Sequence, residues 1–441
     1  MMDLFEKSMH TLELPKVLDL LAAQAVTEEG KRRARELRPE TDPDQVAKRL
    51  KETSAAVDRM VLRGSPSFTG VRPVAGSLSR ADMGGTLNTR ELMDIARVLS
   101  AARSAKDYGE GDSEKKTVID WLFRSLHPNR FLEDKITSSI VGDGELADSA
   151  SPELASIRRH MRATESRVRD ILQKIISSSQ AKFLQESIIT QRSGRYVVPV
   201  KSEHKNEIPG LVHDLSGSGN TFFIEPMGVV KANNELRELQ AKEEKEIDRI
   251  LAEMSAEAAS FKDDINQNYD LLIALDLIFA RARLAANMRA MEPAISSKSI
   301  TLRKARHPLL DPKTAVANDL SLGDTFDTLV ITGPNTGGKT VTLKTIGLLT
   351  LMAQCGLHIP AADGSTIRVF QRVLADIGDE QSIAQNLSTF SSHMSNIVGM
   401  LEETDDETLI LFDELGGGTD PVEGAALAAA IFESARERGA L

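Results

Sequence analysis

Cysteine is all but missing from this chain of 441 residues: the single one, Cys355, leaves no partner for an internal disulfide and no thiolate set for zinc. That usage fits a reducing compartment, and a cytoplasmic protein is expected. Aromatic residues are scarce, with one Trp, three Tyr and 14 Phe, so stacking platforms for single-stranded bases are not the expected mode of recognition. Positive charge is in deficit. Lys and Arg number 54 against 65 Asp and Glu, a net charge of −11, so no general cationic surface draws the chain to phosphate backbones and any nucleic-acid contact must be local. Long apolar runs are also lacking. The most apolar stretch, 346–353, falls far short of the roughly 20 residues that span a bilayer, and the first seven residues carry acids without the apolar core of a signal peptide. No membrane contact is expected.

The length predicts two or three domains at about 150 residues each. From 12 to 107 apolar residues such as Val17, Leu18 and Leu21 recur at helical spacing, and Asn88 with Glu91 three residues later predicts a capped helix start. Segments 108–114 and 142–145 read as loops. After Pro152 the period becomes regular: Leu154, Ile157, Met161, Thr164, Val168, Ile171 and Ile175 step by three and four, and a second series runs from Ile247 through Ile250, Met254, Ala258, Phe261, Ile265 and Tyr269 to Leu272. Two separated heptad-like seams predict an antiparallel coiled-coil arm. Between them 188–190, 195–198 and 221–224 have strand character, broken by glycine and proline, so the arm is expected to carry a β-rich tip. From 151 to 205, eleven basic residues face five acidic ones, a local net of +6. Arg192, Arg195, Lys201 and Lys205 at the tip are candidates for gripping phosphates. A solvated helix face explains the same charges equally simply.

Beyond Ile300 the pattern turns to βα alternation: a strand at 329–332, a helix at 339–354, a strand near 373–377, a helix around 391–401 and a strand at 408–412, as in a doubly wound sheet. Gly333, Pro334, Asn335, Thr336, Gly337, Gly338, Lys339 and Thr340 sit between the first strand and its helix, the context of a phosphate-binding P-loop. Its glycines let successive N–H groups converge on one concave site at a helix N-terminus, where phosphate oxygens belong. Lys339 would reach the β- and γ-phosphates of ATP, and the Thr340 hydroxyl would help to hold Mg²⁺. The strand 409–412 ends in Asp413, a second Mg²⁺ ligand, and Glu414, placed to orient and deprotonate the attacking water. An intervening Ser-Thr motif at 388–389 and the Gly-Thr-Asp loop 416–421 point to ATPases of the ABC type, which close head-to-tail as dimers.

These motifs resemble the ATPase domain of the MutS family, and Arg306 to Leu310 (RHPLL) ahead of them is a further marker. Residues 194–201, 212–219 and 223–226 resemble the second bacterial branch of that family, which lacks the N-terminal mismatch-reading and connector domains. The resemblance implies a multidomain α and α/β chain: a helical lever domain at 1-150, the arm with its clamp tip (about 188-224) at 151-295, and an ABC-type P-loop ATPase at 296-441, incomplete at its C-terminus. It implies a homodimeric, ATP-dependent clamp on branched DNA, restraining recombination, or on collided ribosomes and their rRNA. It places Ser388 and Thr389 at the partner's γ-phosphate, Gln381 in a loop contacting metal or water, and His307 near the nucleotide. The strand and sensor histidine after Leu441, and the family's C-terminal nuclease domain, are absent from the sequence, so an open edge beside 409–412 and impaired turnover are expected, and no nuclease activity. A competing reading is a nucleotide-dependent scaffold whose coiled coil binds protein. A metabolite kinase is disfavoured, since nothing supplies a lid or an acceptor pocket.

Overall fold

Polar residues ahead of apolar periodic runs mark where helices begin, because a side-chain oxygen can satisfy backbone N–H groups that the first turn leaves unpaired. The computed structural model describes residues 3–110, 116–333, 337–378, 386–417 and 420–441, with 386–392 by backbone alone. It opens with α1 (Leu4–Thr11), α2 (Leu14–Gln24), α3 (Glu28–Arg35), α4 (Pro43–Arg63), α5 (Ala75–Asp82) and α6 (Thr89–Glu110). Thr27 and Asp42 cap α3 and α4. At α6 the capping pair is reciprocal: the Glu91 N–H donates to Asn88 Oδ1 and the Asn88 N–H to Glu91 Oε2, both at 3.0 Å. There follow α7 (Asp120–Arg124), α8 (Arg130–Ser139), the hairpin β1 (Ile140–Gly142) and β2 (Glu145–Leu146), and α9 (Pro152–Ile176). Strands β3 (Thr190–Arg192), β4 (Arg195–Lys201), β5 (Gly210–Leu215) and β6 (Thr221–Pro226) lead into α10 (Met227–Ser260) and α11 (Lys262–Met288). The last third holds β7 (Ala294–Ser296), β8 (Ile300–Ala305), β9 (Asn318–Leu322), α12 (Lys339–Gln354), β10 (Thr366–Arg368), β11 (Arg372–Asp376), α13 (Asn386–Glu402), β12 (Thr408–Phe412) and α14 (Pro421–Glu437). No helix among the described residues is long and apolar enough to cross a membrane.

Contacts group the chain into two units that do not follow its linear order. One comprises Pro73–Ser100 and Asn129–Asn266. In it α9 and α10 run antiparallel: Arg158 bonds Glu243, while Arg167, further along α9, bonds Glu235, earlier on α10. Leu154, Ile157, Val168 and Leu172 form the buried stripe of α9. Val168 and Leu172 join Val198, Val200, Ile224, Val229 and Leu236 in a core with the antiparallel sheet β3-β4-β6-β5. Two details differ from the sequence pattern. The return helix starts at Met227, and the second apolar series is divided at Phe261, which leaves the helical conformation (φ −111°, ψ 19°) between α10 and α11. Periodicity registers a shared face and is blind to such a break. Strand β5 was not expected, because as an edge strand with Leu211, Val212 and Leu215 exposed it has no buried apolar face to betray it.

The other unit comprises Met1–Arg72, Ala101–Pro128 and Gln267–Leu441. Its core joins both ends of the sequence: Leu12, Leu14, Leu18 and Leu21 meet Leu348, Leu349 and Met352 of α12 and Val373, Leu409 and Leu411 of the strands beneath. Helix α1 lies along β11, where the Ser8 hydroxyl accepts the Ala375 N–H at 3.0 Å. One sheet has the order β7-β10-β8-β9, and β11 and β12 form a separate parallel pair in register from Arg372↔Thr408 to Asp376↔Phe412. Residues 329–332 do not form the expected strand. A strand exists through its ladder of hydrogen bonds. This run has none, Val330 is 63% exposed, and a cavity of about 320 Å³, bordered by Leu329, Ile331, Ile410, Phe412 and Phe432, lies between it and β12. The doubly wound sheet is therefore reduced to two parallel strands among the described residues. Nor is the edge of β12 fully open: the Ile410 N–H donates to the Leu441 carbonyl at 2.8 Å and the Leu441 N–H to the Thr408 carbonyl at 3.1 Å.

Candidate functional site

Helix α12 starts at Lys339 because Gly338 takes the left-handed conformation (φ 81°) that a residue with a side chain rarely adopts. Gly333 at the other end of the loop has φ 146°, and an added Cβ on either glycine meets nothing within 4 Å. Backbone geometry rather than crowding among the described residues requires glycine there. Lys339 Nζ donates to the Gly333 carbonyl at 2.8 Å, so residues on either side of the motif meet. Pro334, Asn335 and Thr336 lie outside the described residues. The helix is brought against β12 at Gly347, where a Cβ would fall 2.6 Å from Leu411 Cδ1. That close approach sets the next contact: the Thr340 hydroxyl donates to Asp413 Oδ2 at 2.6 Å, across 73 residues of sequence. Glu414, the next residue, has φ 51°, an unfavourable conformation for a side-chain-bearing residue that is characteristic of functional turns.

The remaining motif residues are less concentrated. Ser388 and Thr389 belong to the first turn of α13 by backbone path, and Gln381 lies outside the described residues. His307 is buried, its Nδ1 accepting the Leu309 N–H at 3.4 Å and its Nε2 without a partner among the described residues. Burial pushes its pKa down, opposed by the Glu13 carboxylate nearby. In the final glycine loop Gly416 (φ 77°) approaches the Gly424 backbone so closely that a Cβ would clash at 2.3 Å, and Asp420 caps α14 by accepting the Val422 N–H at 2.9 Å. A cluster beside the site escaped the sequence reading: Asp376, at the end of β11, binds His393 and Asn396 of α13. Its only trace in the sequence is an acid ending a predicted strand and a histidine one turn after the Ser-Thr motif.

Charges on the arm are largely answered by its own carboxylates. Arg158 pairs with Glu243 and Asp148, Arg162 with Asp148 and Arg167 with Glu235. Arg159, Arg169 and Lys174 form no ion pair among the described residues. At the tip Arg195 is drawn inward, its Nη1 at 2.8 and 2.9 Å from the two oxygens of Glu225, a carboxylate with no exposure. His213 Nε2 at 2.6 Å and Asn233 Nδ2 at 2.7 Å complete that shell. Arg192 lies 4.0 Å over the Phe223 ring and pairs with Asp214, Lys201 Nζ donates to the Lys182 carbonyl, and Lys205 lies 4.8 Å over Phe222.

Residues 329–440 match the family described as MutS domain V. Over 439 residues the chain is 49% identical to a protein named Endonuclease MutS2 from Acetivibrio thermocellus, covering 98% of the chain and 55% of that protein. It is 49% identical over 439 residues to the protein of that name from Ruminiclostridium cellulolyticum (99% and 55% covered), and 48% over 437 residues to that from a Geobacillus species (98% and 56%). The chain thus spans about half the length of the curated relatives it matches.

Proposed function

Given that the chain belongs to the MutS family, in the branch of these MutS2 relatives, we propose that it is an ATP-hydrolysing clamp on nucleic acid, working as a homodimer in the cytoplasm. The observation that carries the nucleotide half is the 2.6 Å contact of Thr340 with Asp413, which brings P-loop and acidic strand end to one point. A hydroxyl and a carboxylate are the hard oxygen donors that Mg²⁺ prefers, and among the described residues neither is held in a rival ion pair, so these residues fit the metal. Bound there, Mg²⁺ would neutralise charge on the β- and γ-phosphate oxygens. Lys339 exchanges the Gly333 carbonyl for phosphate oxygens, and the glycine-shaped loop offers its N–H groups to the same anion. Glu414 orients the attacking water and takes its proton as the new P–O bond forms and the bond to ADP breaks. In the proposal Ser388 and Thr389 complete the site of the opposite subunit, Gln381 contacts metal or water, and His307 lines the nucleotide side.

The clamp half rests on α9, α10 and the tip sheet, taken here as an arm (151-295) between a lever segment (1-150) and the ATPase segment (296-441). Its ligand would be a phosphodiester backbone, in branched DNA or in the rRNA of collided ribosomes, met by Arg192, Lys201 and Lys205 with the unpaired Arg159, Arg169 and Lys174. Arg195 holds the tip together through Glu225. The pairing of Arg158, Arg162 and Arg167 with carboxylates favours a second reading, a scaffold whose arm binds protein. Two measurements test these statements. Lys339→Ala should abolish binding of a fluorescent ATP analogue while Glu414→Gln keeps it and stops phosphate release; normal affinity in the lysine variant would sink the P-loop assignment. Binding to branched DNA, duplex DNA and ribosomes should weaken steeply with salt, and replacing 188–224 by a Gly-Ser turn should reduce it. Equal binding by the shortened protein would leave the scaffold.

A further inference from the structure

The nucleotide site described above ends at Asp413 and Glu414, yet the side chains just behind them are tied to a different helix. Asp376 closes β11 directly opposite Phe412, and its carbonyl accepts the Asp413 N–H at 3.0 Å. The main chain of Asp376 is thereby fixed to the residue that meets Thr340. Its side chain turns the other way. Oδ2 lies 2.9 Å from His393 Nδ1 and Oδ1 accepts from Asn396 Nδ2 at 2.7 Å, with the carboxylate only 9% exposed. His393 and Asn396 stand three apart, on one face of α13. The chain leaving β11 passes under the imidazole, since a Cβ on Gly378 would lie 3.8 Å from His393 Cε1. Asn396 Oδ1 in turn accepts from Lys7 Nζ of α1 at 3.0 Å.

A carboxylate so nearly buried is costly unless its oxygens are satisfied, and here both are satisfied by α13. Resting on the nucleotide reading, we propose that Asp376 and His393 are positioning residues, a latch that couples the strand end bearing Asp413 and Glu414 to helix α13 and so to the Ser388–Thr389 turn one helical turn before His393. Any displacement of Asp413 on nucleotide binding moves Asp376 through the shared backbone bond, and the imidazole carries that displacement into α13. Asn396 and Lys7 brace the same junction from the other side, linking the N-terminal helix to it.

The test uses the 441-residue chain with His393→Leu, which removes the donor, and His393→Asn, whose amide can restore one near the position of Nδ1. Amide hydrogen exchange over 386–402, fluorescent ATP-analogue binding and phosphate release are read on each. His393→Leu should speed exchange in α13 by about ten-fold, because a local opening loses its anchor. Nucleotide affinity should stay within about two-fold, while kcat falls by ~10- to 100-fold at unchanged KM, the penalty of a misplaced but intact group. His393→Asn should recover most of both losses, a rescue that simple unfolding would not give. Exchange and kcat in His393→Leu equal to the parent would overturn the latch, as would faster exchange with unaltered kcat. Should the parent bind no nucleotide, the ATPase reading falls separately. Should it release no measurable phosphate, whether or not it binds nucleotide, exchange in α13 and its recovery in His393→Asn alone decide whether the latch exists, and unchanged exchange in His393→Leu overturns it.

Discussion

A thiol sealed from water does not readily shed its proton, because the charged form loses its hydration. Cys355 is fully buried, and burial pushes its pKa up to about 12 against the opposing pull of Arg49 and Arg281. The thiolate is the reactive form, so at pH 8 its population is lowered by roughly three orders of magnitude relative to a free cysteine. Native protein should resist a thiol reagent, and one thiol per chain should appear on unfolding; stoichiometric labelling of folded protein would contradict the burial. Other single residues divide by how their neighbours are specified. That Lys339 and Thr340 open a helix and that Asp413 and Glu414 follow a strand was legible from local pattern, and the structure adds the contact of Thr340 with Asp413; their chemistry belongs to the proposal. Arg195 was not legible, since a count of charges does not say which charge meets which, and Glu225, thirty residues away, claims it. Asp376 and His393 were missed for the same reason: each is ordinary alone.

Between α9 and α10 the helix start and the ion pairs form one system. Ser151 caps α9 through the Leu154 N–H, and its hydroxyl donates to Glu246 Oε1 at 2.6 Å, while Arg249 holds the other face of that carboxylate. Hydrogen bonding by Arg249, then by Ser151, holds the pKa of Glu246 at about 2, below its ordinary value of 4.5. A folded-state pKa lowered in this way gives stability that is complete above pH 4.5 and lost as the pH falls toward 2. Acid titration of the unit holding α9 and α10, followed by helical circular dichroism, should show a loss of stability in that window that Glu246→Gln removes. A variant with the same acid profile as the parent would mean that the capping system contributes nothing. At this scale the sequence was informative where one face is buried: the stripe of α9 and the reciprocal cap of α6 were both readable. The edge strand β5 and the break at Phe261 were not, because neither changes the apolar pattern.

Taken whole, the chain places its first helix against one of its last strands. Helix α1 covers β11 through Ser8 and the Ala375 N–H, Met9 is 5% exposed, and Leu12, just beyond it, is fully buried in the same core. Deleting residues 1–13 should uncover that flank of β11 and remove Met9 and Leu12 from the core. Each large apolar side chain lost costs about 2–5 kcal/mol, and an uncovered strand edge invites association. Lower thermal stability and larger particles in light scattering are the expected outcome. A deletion variant as stable and as monodisperse as the parent would show that α1 only rests on the surface.

Local chemistry alone carried much of this protein: where helices start, where a glycine-rich stretch opens α12, and the apolar seam of α9. Those features depend on residues a few positions apart, so their spacing in the chain is their spacing in the fold. The partition into two units, the sharing of a core by α1, α2 and α12, and the failure of 329–332 to become a strand depend on residues tens to hundreds of positions apart. An apolar β-branched run states a willingness to be a strand, but only a neighbouring backbone can supply the ladder. Here the folded chain sets a cavity beside that run, and gives Asp376 a helix to hold instead.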